Sequence, residues 1–556
     1  MRREGENLVR RESLQKLYEQ ALAYHSVGDL NRCVNCCDVI LSQDGQDHEV
    51  WNLSGLAHYG LGNLQKALTY INQAFLISGF ETYLVNIAEL LRRSNESQKA
   101  LEILESIKNP ATPNLQFNLA RVYRDVGRNA DAVVCYEKVL LKTPDDADVL
   151  FNLANVLVES DVERAIKLYE QALRLGLNVA GMNLASLYLK RGDIESSLKI
   201  YKQLEPVVNK DDHSFFFNYA NALSKASIHS SSYFKEAKKY YKKAISFSSN
   251  VLYALNYAHL LLRFGEIKEG FKQYEKRLSL NVVPQSLATL EVASRLAKQR
   301  IVVYAEQGLG DTIMFARFLM PLREVASEVL VIVQPVLLPL FERYFNQRAP
   351  HLCPIAFCSI VPDELKKRTF KRISLLSLPF ALKMTSNAEI QSLIPPILEK
   401  SCKKVGIFWR SNQENPLSEG KNLTLPELLD GLSPLLSKCD FYSLQVGIDI
   451  EERNLLEQYK IPDLGSGFKD FAETKEALEG MDAVIGIDTS ILHLAASFGV
   501  ESFVLLPYYY DWRYGAQGIE SPFYAQSLHL YPQECFDNWK SPLQHLQKIL
   551  LQKIDF

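Results

Sequence analysis

The sequence predicts an α-helical repeat superhelix over residues 14–285 followed by an α/β region, behind a short N-terminal extension at 1–13. Three observations carry this. A small residue recurs at intervals of 31 to 38 residues, at Gly55, Ala88, Ala120, Ala154, Ala185, Ala220 and Ala258, and such a period marks stacked helix pairs. From about residue 299 short β-rich runs alternate with helices, the pattern of parallel sheets. Ile394-Pro395-Pro396-Ile397 then reads as a linker between two such units, 299–395 and 396–556, with the cleft between them as the expected site.

Composition narrows the function before any motif is read. Lys+Arg 62 against Asp+Glu 65 gives a net charge of −3, so no global basic field exists to hold nucleic acid or an anionic membrane. No apolar run approaches the roughly 20 residues that span a bilayer. Arg2, Arg3, Arg10 and Arg11 lead into a charged, amphipathic stretch rather than an apolar one, which points to the cytoplasm. Nine cysteines at irregular spacings fit reduced thiols better than a disulfide framework. Cys33, Cys36 and Cys37 cluster, but no second pair stands at zinc spacing, so packing within a helix is expected and metal is not.

The clearest repeat runs from about 113 to 146. Asn118-Leu119-Ala120 and Tyr123 lie on its first helix, Gly127 at the turn, Ala132 and Tyr136 on the second, and Pro144 beyond. Small residues sit where helices approach closely, and Gly or Pro ends them. The unit at 48–81 repeats the pattern with Trp51, Gly55, Gly62, Ala67 and Ala74. These units resemble tetratricopeptide repeats, which bury their apolar faces against neighbours and present a concave binding groove.

Two residues before the small anchor, asparagine recurs at Asn86, Asn118, Asn152, Asn183, Asn218 and Asn256. Asparagine is a mediocre helix former, so its recurrence needs a cause. A row of amides can pair with the backbone of an extended peptide whatever its sequence, and this one looks like the asparagine ladder in the repeats of the eukaryotic O-linked N-acetylglucosamine transferase. The alternative is that each amide bonds a neighbouring helix turn and holds the array together. Lys235, Lys238, Lys239, Lys242 and Lys243 are spaced as a solvated helix face.

In the second half the expected strands are 301–305, 328–333, 404–409, 439–444, 482–487 and 502–506. After the first comes Glu306-Gln307-Gly308-Leu309-Gly310-Asp311-Thr312, where glycines permit a tight turn into a helix start with unpaired N–H groups. Asp311 there is either functional or a capping carboxylate. The stretch is neither a Walker loop nor a complete dinucleotide fingerprint. After the fifth comes Asp488-Thr489-Ser490-Ile491-Leu492-His493-Leu494-Ala495, whose Thr489 and Ser490 suit a phosphate at a helix N-terminus. His493 shares their face and either touches a ligand or packs under the strand end. Arg410 and Lys421 stand in loops beside the expected cleft, as charge-stabilising cations or as ordinary surface charges.

Together, Glu-Gln-Gly-Leu-Gly-Asp-Thr, Ser443-Leu444-Gln445, Asp-Thr-Ser-x-x-His-Leu-Ala and Asp511-Trp512-Arg513 resemble bacterial tetratricopeptide-repeat proteins with a C-terminal glycosyltransferase domain related to the lipopolysaccharide heptosyltransferases. The resemblance implies a GT-B fold of two Rossmann-like domains, the acceptor near the first and the nucleotide-sugar on the second. It implies inversion at the anomeric carbon without a metal or other cofactor. Asp311 is then the general base, with Gly308, Gly310, Asp488, Thr489, Ser490 and His493 as donor contacts and Arg410 and Lys421 as helpers. The loop containing Lys421 reads Lys-Asn-Leu-Thr where the family has an Arg-rich run, which leaves the role of Lys421 open. Some proteins of this architecture glycosylate flagellin with a nonulosonic acid such as pseudaminic acid from a CMP-activated donor. The expected function is therefore transfer of a sugar to Ser or Thr of a protein held by the repeats. The alternatives are a lipopolysaccharide or lipid acceptor, or a non-catalytic scaffold.

Overall fold

The computed structural model describes residues 2–107, 112–280, 283–284, 287–288, 290–345, 355–362, 370–393, 403–411, 420–518, 520–521, 523–524 and 528–554, with side chains from 12 onward. The expected linker at 394–397 and the side chains of Arg2, Arg3, Arg10 and Arg11 lie outside the described residues. Two compact units result, Met1–Leu187 and Tyr188–Phe556.

The first unit is helical. It contains α1 (Arg2–Ser26), α2 (Leu30–Gln43), α3 (His48–Gly60), α4 (Leu64–Ser78), α5 (Glu81–Arg93), α6 (Ser97–Ser106), α7 (Pro113–Asp125), α8 (Asn129–Leu140), α9 (Ala147–Leu157), α10 (Val162–Arg174) and most of α11 (Asn178–Lys190). Local chemistry explains the punctuation. Asp47 and Asp146 each accept hydrogen bonds from two backbone N–H groups of the first helical turn, satisfying donors that have no partner inside the helix. Pro113 opens α7 behind the Thr112 cap. The turn from α7 to α8 passes through Gly127 at φ 81°, and in the preceding pair Asn95 takes this left-handed place at φ 61°.

Gly55 shows why the anchor must be small: a Cβ there would stand 2.5 Å from Ile71 Cγ1 on the paired helix. Cys33 and Cys37 are buried in α2 against Ala21 and Ile40. Burial raises both thiol pKa values.

The second unit continues with α12 (Ile194–Leu204), α13 (His213–His229), α14 (Phe234–Phe247), α15 (Val251–Arg263), α16 (Ile267–Tyr274) and a 3-10 turn at Glu275–Ser279. Of the lysine stretch on α14, Lys235, Lys239 and Lys242 are exposed. Lys238 pairs with Glu266 at 2.5 Å, and Lys243 lies over Phe216 at 3.6 Å.

Two all-parallel sheets follow. The first comprises β1 (Arg300–Tyr304), β2 (Glu328–Ile332), β3 (Ile355–Cys358) and β4 (Lys371–Ser374) in the order β3-β2-β1-β4. Helices α17 (Leu309–Phe315), α18 (Leu319–Val325), α19 (Leu338–Tyr344), α20 (Leu378–Ala381) and α21 (Asn387–Gln391) accompany it. The second comprises β5 (Lys404–Phe408), β6 (Asp440–Ser443), β7 (Ala483–Ile487), β8 (Glu501–Leu506) and β9 (Leu528–Pro532) in the order β6-β5-β7-β8-β9. Its helices are α22 (Leu425–Leu432), α23 (Ile450–Gln458), α24 (Phe471–Glu479), α25 (Ser490–Ser497) and α26 (Lys540–Ile554).

The six expected strands are present, and β3, β4 and β9 are additional. β3 and β4 have four residues each and only partial burial, too little alternation to mark them in advance. One apolar core runs from Val303 and Phe315 beside the first sheet to Ile491, Leu494 and Trp512 beside the second. Among the described residues no helix is long and apolar enough to cross a membrane.

Candidate functional site

Open parallel sheets bind ligands beyond the carboxyl ends of their strands, where the strand order reverses. In the first sheet that place is the end of β1, flanked by β2 and β4; in the second it lies between β5 and β7. The segments that follow β1, β5, β7 and β8 carry Asp311, Arg410, Asp488 and Arg513 respectively.

After β1 the chain turns at Gly308 into α17, placing Asp311 in the first helical turn. Asp311 caps nothing: Oδ1 accepts a hydrogen bond from Arg513, while Oδ2 has no partner among the described residues. Arg513 also donates to Asp511 Oδ1 at 2.7 Å. Burial alone would disfavour the guanidinium charge, but Asp311 and Asp511 hold it firmly protonated.

After β7, Asp488 is 13% exposed and accepts from Lys421 Nζ at 3.1 Å and from the Tyr514 hydroxyl, with His493 Nε2 at 3.4 Å. Burial would raise its pKa, yet His493, Lys421 and Tyr514 hold the carboxylate far below its ordinary range. His493 Nδ1 is 2.9 Å from the Tyr524 hydroxyl. Thr489 precedes α25, and its buried Oγ1 has no hydrogen-bond partner among the described residues. Ser490 is the first residue of that helix.

The two glycines differ. A Cβ on Gly310 would stand 2.7 Å from His493 Cδ2, so this glycine lets α17 cross against α25. A Cβ on Gly308 would meet only Asp311 Oδ2 at 3.6 Å, an ordinary contact.

The geometry thus gathers Asp311, Gly310, Asp488, Thr489, Ser490, His493 and Lys421 around Arg513 and Tyr514. Arg410 is engaged elsewhere. It donates from Nε and Nη2 to Glu452 at 2.9 and 2.7 Å and from Nη2 to the Gly447 carbonyl, while Gln445 Oε1 accepts from its backbone N–H and that of Trp409. This bidentate pair fastens the β5 loop to α23. Tyr514, Tyr524 and the Arg513–Asp311 pair are additional to the expected residues. Tyr514 adjoins the Asp-Trp-Arg tripeptide, but Tyr524 has no local signal.

The asparagine row has mixed engagements. Asn86 Nδ2 donates to Asn52 at 3.1 Å, Asn183 Nδ2 to Asn155 at 2.9 Å and Asn256 Nδ2 to Asn221 at 2.9 Å, each to the preceding helix pair. Asn152 accepts from Arg124 at 3.2 Å, and Asn118 bonds Asn114 within its own helix. Asn218 has no side-chain partner among the described residues. Four of the six amides therefore link neighbouring pairs, and each of Asn86, Asn183 and Asn256 commits one N–H to doing so.

Comparison with known proteins supports the repeats. Residues 48–79 and 117–180 match the tetratricopeptide repeat. Protein FlbA of Caulobacter vibrioides (strain ATCC 19089 / CIP 103742 / CB 15) is 24% identical over 319 residues, covering 55% of this chain and 48% of FlbA. The chain thus spans about half the length of that curated relative. Among solved structures, a tetratricopeptide repeat protein from Parabacteroides merdae ATCC 43184 is 16% identical with a TM-score of 0.36, covering 43% of this chain and 94% of its own. PilW, a widely conserved type IV pilus biogenesis factor, is 14% identical with a TM-score of 0.33, covering 35% and 93%.

Proposed function

We propose that this chain is an inverting protein glycosyltransferase of GT-B type: its repeats hold a polypeptide acceptor, and a nucleotide-sugar is consumed where the loops of the two sheets meet. One observation carries the reading. Asp311, from the first sheet, and the Asp488–His493 helix start, from the second, converge on consecutive residues, Arg513 and Tyr514.

The chemistry follows from that arrangement. Asp311 takes the proton of an acceptor hydroxyl as its oxygen attacks the anomeric carbon, and the bond from that carbon to the donor phosphate breaks with its electrons passing to the phosphate oxygen. A positioned base of this kind contributes roughly 10²–10⁴-fold. The unpaired N–H groups at the start of α25 and the free Thr489 hydroxyl receive the departing phosphate. Asp488 organises the site: it holds Lys421, Tyr514 and His493 in place. Tetratricopeptide repeats imply a protein partner, and the free Asn218 amide and the uncommitted atoms of Asn256 are offered as acceptor contacts. A CMP-activated nonulosonic acid and flagellin are the donor and acceptor that the family resemblance suggests.

A scaffold reading has one observation behind it, since Asp311 and Asp488 are both already ion-paired. A thermal-shift panel of CMP, CDP, UDP, ADP and GDP separates the two. A ligand at about 100 times its Kd stabilises the folded state by roughly 2.7 kcal/mol, and selective stabilisation by CMP is expected. Asp311→Asn should keep that shift and lose transfer. No shift with any nucleotide in folded protein favours the scaffold, and undiminished transfer by Asp311→Asn removes it as base.

A further inference from the structure

The Asp311–Arg513 pair joins two loops from different sheets, and both loops are gripped by the last helix pair of the repeat array. On one side, Arg277 of the 3-10 turn after α16 is 2% exposed and donates to Glu306 at 2.9 and 2.6 Å, with Ser377 Oγ accepting at 2.8 Å. The Tyr274 hydroxyl donates to Gln307 at 3.4 Å. Glu306 and Gln307 are the residues from which the chain turns through Gly308 into Asp311. On the other side, Arg263 at the end of α15 is buried and donates to the Tyr510 carbonyl at 3.0 Å. His259, one turn earlier, stacks on Trp512 with ring centroids 5.7 Å apart and planes 10° from parallel. Tyr510 and Trp512 flank Asp511, and Arg513 follows.

Helix α13 adds to this second grip. Tyr508 stacks on His229 at 4.1 Å, and the Gln517 N–H donates to the Ile228 carbonyl at 2.8 Å. Arg263 Nε is buried without a partner among the described residues. Burying a cation whose donors are incompletely bonded is costly, so the contact is poorly explained as packing alone.

We propose that the eighth helix pair belongs to the catalytic apparatus, with Arg263, His259 and Arg277 as positioning residues that set the Asp311–Arg513 pair from both sides. The term positioning residue rests on the reading of Asp311 as base; the two-sided brace does not. The same helix carries Asn256, two turns before Arg263 and on the same face, about 10 Å along the axis. A polypeptide bound at Asn256 therefore lies on the element that fixes the pair, and acceptor engagement and site geometry share one rigid body.

The brace predicts a reciprocal effect. Amide hydrogen exchange is measured over 308–315 and 511–516 in Arg263→Met, Arg263→Lys and the charge-balanced double variant Arg277→Met/Glu306→Gln, with the exposed Lys235→Ala as control. Arg263→Met is expected to accelerate exchange in 308–315, and the double variant in 511–516, each by about tenfold on the loop it does not touch. Arg263→Lys should restore most of the protection, and Lys235→Ala should change neither segment. Acceleration confined to the loop each variant touches overturns the proposal, as does failure of Arg263→Lys to restore protection. If Arg263→Met does not fold, the double variant and Arg263→Lys decide. With a nucleotide that stabilises the protein, Arg263→Met should leave its Kd within about twofold while transfer falls at least tenfold. Because hydrogen exchange needs no substrate, the brace stands or falls separately from the transferase reading: reciprocal acceleration without nucleotide binding would sink only the latter.

Discussion

Helices α5 and α15 hold the same place in their repeats and put corresponding positions to different uses. In α5, Asn86 is followed three and seven residues later by Glu89 and Arg93; in α15, Asn256 is followed by His259 and Arg263. Glu89 accepts from Arg92 at 2.8 Å, Arg93 at 2.9 Å and Arg121 at 3.2 Å, so this face of α5 is satisfied within the array. His259 and Arg263 instead meet Trp512 and the Tyr510 carbonyl after β8. The repeat period determines where a side chain stands, and the neighbour determines what it does there.

The largest test of this contrast removes one charge from each region. Arg277→Met removes the guanidinium paired with Glu306, which is 3% exposed, and should cost about 3–5 kcal/mol. Glu89 is 20% exposed, and Glu89→Gln should cost about 1–3 kcal/mol. Urea unfolding followed by hydrogen exchange in each unit reads both; a larger loss from Glu89→Gln would erase the distinction.

Acid should separate the regions next. Burial lowers the His259 pKa from 6.5 to about 4, so the unfolded chain binds more protons in that window and stability falls as pH drops from about 6.5 to 4. His229 shifts in the same direction, and His58 does so in the N-terminal unit, each chiefly by burial. For Glu89, burial is outweighed by Arg92, Arg93 and Arg121, and the pKa falls from 4.5 to about 2. Its contribution is complete above pH 4.5 and lost toward pH 2. Either shift is worth at most about 3 kcal/mol. The slope of stability against pH between 6.5 and 4 should become shallower in His259→Gln, the share due to His229 and His58 remaining, and an unchanged slope would mean that His259 is not held neutral.

The smallest effect lies within the asparagine row. Asn183→Ala loses a bond to the preceding helix pair and should cost about 0.5–1.5 kcal/mol. Among the described residues Asn118 bonds only its own helix, so Asn118→Ala should stay within about 0.5 kcal/mol. Equal losses in thermal unfolding would mean that the interhelical bond has no special weight.

What could be read in advance follows the range of the interaction. The repeat anchors were legible because close helix packing demands a small residue at a fixed period, as the crowding at Gly55 shows. Six strands were legible from apolar runs, whereas β3 and β4 are short and half-buried. Asp311 and Asp488 stood out as carboxylates where a strand runs into a helix, yet the pattern alone left Asp311 open as a capping residue. Arg410 looked equally suited, and only the fold reveals Glu452 as its partner. Arg263 and Arg277 were invisible for the converse reason: an arginine near a helix end is an ordinary sight, and its partners stand 247 and 29 residues away.

The grip of Arg263 and Arg277 on both loops also limits how such a chain can change length. A helix pair near the start of the array can be duplicated or deleted without altering which residues meet Glu306 and Tyr510. A pair inserted between α15 and β1 would carry Arg263 away from its loop. Growth and shrinkage of the array are thus confined to its upstream end, and the junction with the sheets is the point from which repeats must be counted.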